Sequence, residues 1–314
     1  METRRPYLDG IEYTIIPNRS TAILAFAAGQ FDLTFPYEIT IAMLKDLHSQ
    51  IPEAVCEITP MNVSMNLSIT RNPPFDKAEL RRAIAISLDR QAFIDILGDG
   101  QGDIGTALLP GPEGQWAMPK EIMAKLPGYD PDVKKSRDEA QNIMRSLGYR
   151  PDNRIAVKIM TRNLPDFRDP ASIVADQLKN VWIDSELELV ETANFLPRLV
   201  RADFVLALTA IGSGLDDPDQ NFYENYICSS KRNYTRYCSR EVDELIDRQS
   251  IESDVNRRRE LVWEIDRRLQ QDIARPILYY MRKATCWAPG VKGLKLQRNS
   301  IYNGWRMEEV SLER

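Results

Sequence analysis

The sequence predicts an α/β fold, and three observations carry that expectation. Strand-like and helix-like segments alternate through the centre of the chain, 314 residues allow a large core and more than one lobe, and 43% hydrophobic content is ordinary for a globular protein. The alternation is plainest from Arg154 to Ala210. "RIAVKIMTR" reads as strand, "DPASIVADQLKNVW" as helix, "SELELV" as strand, "NFLPRLVRA" as a short helix and "DFVLALTA" as strand. Such a β-α-β-α-β run implies parallel strands with helices packed across the sheet, and ligands of these sheets bind beyond the carboxyl ends of the strands.

The remaining elements follow in chain order. "STAILAFAAGQFDL" predicts a helix from Thr21 to Ala28 stopped by Gly29, then a short strand over Phe31 to Thr34. "AMLKDLHSQ" is polar and helical, and "NVSMNLSI" alternates as a strand does. "PPFDKAELRRAIAISLDRQAFIDIL" predicts one long amphipathic helix from Lys77 to Leu97, with Leu80, Ile84 and Leu88 on one face. "GDGQGDIGTALLPGPEGQWAMP" has no period and reads as a long irregular loop of the kind that carries function. Helices are expected near Arg240 to Ile251 and from Asn256 to Ile273, the second capped by Asp254. "RPILYYMRKATCWAPGVKGLKL" reads as strands broken by a Pro-Gly turn, and "NSIYNGWRMEEV" places two aromatics, Tyr302 and Trp305, near the C-terminus.

Composition excludes several function classes. A net charge of −5 with acids and bases interspersed shows no basic stripe, which argues against nucleic acid or an anionic membrane as partner. No run reaches the roughly 18 apolar residues of a membrane span, and "METRRPYLDG" lacks the apolar core of a signal peptide. Either the protein is cytosolic or its export signal is absent from this chain. His48 is the only histidine, so nucleophilic catalysis through a histidine base would rest on one ring in a polar helix.

Cys228 and Cys238 in "ICSSKRNYTRYC" match no zinc spacing and read as a disulfide closing a short polar loop; two buried thiols are the alternative. Cys56 in "AVCEI" and Cys286 in "ATCWA" are expected to be small apolar core residues.

The stretch "AIGSGLDDPDQNFYEN" is a turn at the carboxyl end of a strand. Read as a calcium loop from Asp217 it fails, because Phe222 and Cys228 stand where Gly and Glu are required. Asp216 and Asp217, as sequence neighbours, do not suggest the separated carboxylate pair of a hydrolase. Asp217-Pro218 starts a helix, and Gly212 to Leu215 are placed to line a cleft. No metal or cofactor motif and no catalytic pair emerges.

The order of segments resembles the family 5 extracellular solute-binding proteins, the dipeptide- and oligopeptide-binding components of ABC importers. The resemblance rests on "YLDGIEYTIIPNRSTAILAFAAGQFDL", "FDKAELRRAIAISLDRQAFI", "YDPDVKKSRDEAQNIMRSLGY", "VADQLKNVWIDSELELV", "NYTRYCSREVDELIDRQ" and "ARPILYYMRK", which together run from Tyr7 to Lys283. It implies a type II periplasmic-binding-protein-like fold: residues 1–62 as part of lobe one, 63–281 as a complete lobe two, and 282–314 as the return to lobe one. It also implies a periplasmic or extracellular monomer that passes a peptide or other small solute to importer membrane subunits without entering the membrane itself.

Peptide-binding members place an aspartate three positions before the acidic residue of an acidic-Pro pair, where it meets the peptide's amino group. Here that position is Gly214, and no tryptophan precedes it, so an ordinary free-amine peptide is less expected than for a typical member. The expected contacts are Trp116, Arg162, Gly212, Ser213, Gly214, Asp216, Asn303 and Trp305, with Arg162 suited to a carboxylate or phosphate and the tryptophans to apolar or sugar faces. Opines, oligosaccharides and metal chelates stay open as solutes. A ligand-sensing domain of a regulatory protein is the alternative from another class.

Overall fold

The computed structural model describes residues 5–16, 18–35, 39–297 and 306–313. Its elements run α1 (Arg19–Ala27), α2 (Ile41–Gln50), β1 (Val55–Ile69), α3 (Ala78–Ser87), α4 (Arg90–Gly98), β2 (Gly102–Asp103), α5 (Lys120–Met123), α6 (Val133–Ser146), β3 (Ile155–Arg162), α7 (Pro165–Leu178), β4 (Ile183–Val190), α8 (Thr192–Arg201), β5 (Leu206–Gly212), α9 (Pro218–Asn225), α10 (Arg240–Ser250), α11 (Val255–Gln271), β6 (Ile277–Trp287), β7 (Val291–Lys292) and β8 (Ser311–Leu312). A six-stranded sheet has the order β2-β6-β1-β5-β3-β4. β3 pairs in parallel with β4 and β5, as the alternation predicts, while β1, β6 and β2 extend the sheet in antiparallel fashion.

β1 and β6 are long because they serve two apolar clusters. Their inner ends join Met65, Leu67 and Leu278 to Leu80, Ile84, Phe93, Ile159, Leu178 and Leu206, whereas Ala284 and Cys286 join Ile23, Phe26, Ile39 and Leu47. Between the two regions the β1–β6 register shifts, from Pro60↔Arg282 to Ser64↔Tyr280. A third cluster on the sheet packs Trp116, Phe222, Val262, Leu269 and Tyr280.

Several expectations need correction. The helix expected from Lys77 to Leu97 is two helices, with Leu88 extended and Asp89 capping α4 through the amide of Ala92 at 3.1 Å. The Gln177 amide brackets the break, accepting from the Asp89 amide at 2.7 Å and donating to its carbonyl at 3.1 Å. The break also turns Arg90 inward, where its Nε donates to the Ile277 carbonyl at 2.8 Å and its guanidinium lies 4.3 Å from the Tyr129 ring centre. A helical pattern cannot register this, because the partners come from α7, β6 and a distant loop.

The strand expected over Phe31 to Thr34 is a single bridge, Leu33↔Trp287, with Thr34 donating to the Cys286 carbonyl. Cys56 and Cys286 face each other across β1 and β6 and form a disulfide, so they are not the simple core residues expected. Cys228 and Cys238 form the second disulfide, as their spacing suggested.

The long loop after α4 is ordered by buried polar contacts. Asp266 on α11 accepts from Thr106 Oγ1 and from the Ala107 amide, and burial pushes its carboxyl above the usual range. Among the described residues no helix is long and apolar enough to cross a membrane.

Candidate functional site

β3 and β5 pair in parallel with Ile159 opposite Leu206, so Arg162 at the carboxyl end of β3 lies level with Thr209 and β5 runs on to its own carboxyl end at Gly212. Beyond Gly212 the chain turns sharply and is held by its own polar groups. The Ser213 amide donates to the Asn62 carbonyl at 3.1 Å, and Ser213 Oγ lies 2.6 Å from the Leu215 carbonyl and 3.0 Å from Gln220 Oε1. Gln220 Oε1 also accepts from the Gly214 amide at 2.8 Å. Asp217 then caps α9 through the Asp219 amide, with Pro218 in the first turn.

Trp116 and Asp216, a hundred residues apart, are brought together. Trp116 Nε1 donates to the Asp216 carbonyl at 2.9 Å, and Asp216 Oδ2 accepts from the Gln115 amide at 3.1 Å. Trp116 is 5% exposed, and the guanidinium of Arg258 lies 4.7 Å from its ring centre while forking onto both oxygens of Asp217 at 2.9 and 3.0 Å. Its aromatic face is therefore already covered, and it fastens the long loop to the turn after β5. Asn303, Trp305 and Tyr302 lie outside the described residues.

Arg162 stands over the Phe167 ring at 4.6 Å and donates twice to Thr192 Oγ1, at 3.1 and 3.2 Å. Among the described residues it makes no ion pair. Partial burial, reinforced by the nearby charge of Arg19, lowers its pKa from the ordinary guanidinium value.

The sequence reading missed the group beside it. Asp166, in the first turn of α7, accepts from Arg19 of α1 at 2.6 Å and from Lys283 of β6 at 3.1 Å to each oxygen. Burial alone would raise the Asp166 carboxyl, but the charges of Lys283 and Arg19 and their hydrogen bonds outweigh it and hold the group below the usual carboxylate range. The only sequence signal is Pro-Asp at a helix start, which marks a helix N-terminus and says nothing of partners 147 and 117 residues away.

The assembled edge thus offers one guanidinium, a glycine turn with close backbone approach, and a charged bridge linking α1, α7 and β6. It can hold a polar solute by hydrogen bonds and charge. His48 is exposed on α2. Among the described residues no group of three His, Cys, Asp or Glu side chains is placed to hold a metal ion.

Comparison with known proteins places this geometry in context. Residues 2–233 match the family described as bacterial extracellular solute-binding proteins, family 5 Middle. The oligopeptide-binding protein AppA of Bacillus subtilis is 23% identical over 314 residues, covering 95% of this chain and 56% of the relative. Among solved structures, the periplasmic binding protein DppA of Helicobacter pylori in complex with the peptide STSA superposes with a TM-score of 0.77 at 21% identity, over 95% of this chain and 56% of that one. NikA of Staphylococcus aureus in complex with Ni(L-His)2 superposes with a TM-score of 0.76 at 16% identity, over 94% and 60%. At these identities the structures establish the fold, and the chain spans little more than half the length of the proteins it matches.

Proposed function

The chain belongs to the bacterial extracellular solute-binding proteins of family 5, and on that premise we propose that it acts as a solute receptor that captures a small molecule between two lobes and delivers it to an ABC importer. In this reading residues 1–62 and 282–314 contribute to lobe one and residues 63–281 form lobe two. The separate apolar clusters at the two ends of β1 and β6 support the division, and so does the register shift between Pro60 and Ser64. The receptor works as a monomer outside the cytoplasm. Two disulfides support that location over a cytosolic regulatory sensor, because such bonds persist in oxidising compartments.

What supports the reading is that Arg162 and the Gly212–Asp216 turn each stand at the carboxyl end of a strand in one parallel pair, Arg162 near the Asp166 bridge. Arg162, Gly212, Ser213, Gly214 and Asp216 are the proposed contacts, with Asn303 and Trp305 reaching them from lobe one. Trp116 acts behind them by holding Asp216. With Gly214 offering no charge and Arg162 making no ion pair among the described residues, the ligand presents an acidic group there rather than a free amine.

Isothermal titration against free and amine-blocked peptides, opines, oligosaccharides and chelated metals tests this. The expected result is saturable binding by an acid-bearing solute, weakened about tenfold or more in Arg162→Gln, the range of a lost charge-assisted hydrogen bond. Binding confined to uncharged solutes, or unaffected by that substitution, would remove Arg162 from the site.

A further inference from the structure

At the other end of the sheet a cavity of about 520 Å³ is lined by Arg71, Arg81, Arg82 and Arg236, with Glu79 and Asp272. The register fixes its distance from the cleft: Ile69 pairs with Leu206 at the start of β5, whereas Val63 pairs with Gly212 at its end. The length of β5, about 20 Å of extended chain, separates the two places.

The arginines are only partly satisfied by the protein. Arg81, 5% exposed, donates through Nη1 to the carbonyls of Phe75 and Asp76 at 2.7 and 2.9 Å, and its buried Nε meets no acceptor among the described residues. Arg71 reaches the Ile273 carbonyl only at 3.5 Å, lies 5.2 Å from the Tyr237 ring centre, and has a buried Nε in the same condition. Burial and the neighbouring charge of Arg81 push Arg71 down to about 10. Arg82 pairs with Glu139 outside the cavity at 2.9 Å, and Arg236 donates to the Val200 carbonyl at 2.7 Å.

The two lining carboxylates do not neutralise this group. Glu79 is exposed, and Asp272 accepts from the Tyr237 hydroxyl at 2.7 Å without an ion pair to any of the four among the described residues. With Arg82 already paired to Glu139, three guanidiniums against two carboxylates leave a positive excess around a concavity. The amides opening α3 add to it, since Lys77 provides no side-chain cap. Arg236 and Tyr237 sit within the loop closed by Cys228 and Cys238, which holds that rim in place.

We propose that this cavity binds a phosphoryl oxyanion, either free phosphate or the phosphate of a small monoester. Such an anion supplies several acceptor oxygens to guanidinium forks and relieves the crowding of like charge. The site is independent of the cleft and of the solute it takes.

Titration of the chain with inorganic phosphate and, separately, glycerol 3-phosphate, each against sodium chloride at matched ionic strength, is the test. Saturable binding is expected, weakened about tenfold or more in Arg71→Gln and tightened about threefold in Glu79→Gln, which removes an exposed opposing charge. Binding of both probes supports a site that reads the phosphoryl group, and binding of inorganic phosphate alone supports a free-anion site. No saturation beyond the chloride control overturns the proposal, as does affinity indifferent to both substitutions. Loss in Arg162→Gln but not in Arg71→Gln would move the anion to the cleft and overturn it equally. Because Glu79 is exposed, its variant keeps the test decisive even if Arg71→Gln fails to fold.

Discussion

At the carboxyl end of β3, three cations, Arg19, Arg162 and Lys283, gather near one half-buried carboxylate, Asp166. At the far end of the same sheet four arginines line a cavity whose carboxylates, Glu79 and Asp272, lie at the exposed rim. The difference lies in where the counter-charge sits. Asp166 is paired inside the protein with two cations from α1 and β6, and the bridge ties three elements together. At the far end the counter-charge is solvated and screened, and the balance is left to come from outside. Each end is also closed by a disulfide, one spanning 230 residues and the other 10.

The largest effects should come from opening those bonds. Cys56→Ser with Cys286→Ser should cost about 5 kcal/mol and Cys228→Ser with Cys238→Ser about 3 kcal/mol in the chain-entropy picture, read by denaturant unfolding under non-reducing conditions. The reverse order would mean that local packing around the polar loop, rather than loop length, sets the stabilisation.

Asp166→Asn comes next. Lys283, 6% exposed, would keep its charge beside a neutral amide, and the loss should be about 3 kcal/mol at pH 7. The folded carboxyl is depressed, so its stabilisation is present above the ordinary carboxylate pKa of about 4 and is lost as pH falls through the folded value. The gap between wild type and variant should therefore close in acid. A gap undiminished by about pH 2 would show that the variant suffers from altered packing instead of lost charge.

Asp254→Ala supplies the smallest effect and a baseline. It removes the cap that accepts from the Asn256 and Arg257 amides at the start of α11, away from both clusters, and should cost about 1 kcal/mol by thermal or denaturant unfolding. If Asp166→Asn costs no more than this, the contrast between the two ends loses its energetic basis.

Much of the fold was legible because local rules and tertiary context agree. The central β-α-β-α-β run, the cap at Asp254, the helix stop at Gly29 with φ of 70° and the helix opening at Asp217-Pro218 all appear where periodicity and capping chemistry place them. Local rules failed where a distant partner outbid them. Leu88 and Asp89 fit a continuous helix until Gln177 and the buried Arg90 are considered, and Phe31 to Thr34 read as strand although β6 offers only one bridge. Of the candidate contacts, Gly212 to Asp216 and Arg162 were legible as strand ends. The aromatic role expected of Trp116 was not, since only the fold shows Arg258 covering its ring.

The sequence by itself determined the α/β alternation, the short disulfide, the missing carboxylate at Gly214 and the resemblance to solute-binding proteins. These depend on residue type and on spacing within one or two elements, where a few backbone dihedrals fix the geometry. Tertiary structure alone decided that Cys56 meets Cys286, that Asp166 is shared by Arg19 and Lys283, and that Arg71 and Arg81 line one cavity with Arg236. Those contacts join residues more than a hundred positions apart. Burial and charge act through distance in space, and no local pattern records which remote side chain will occupy that space.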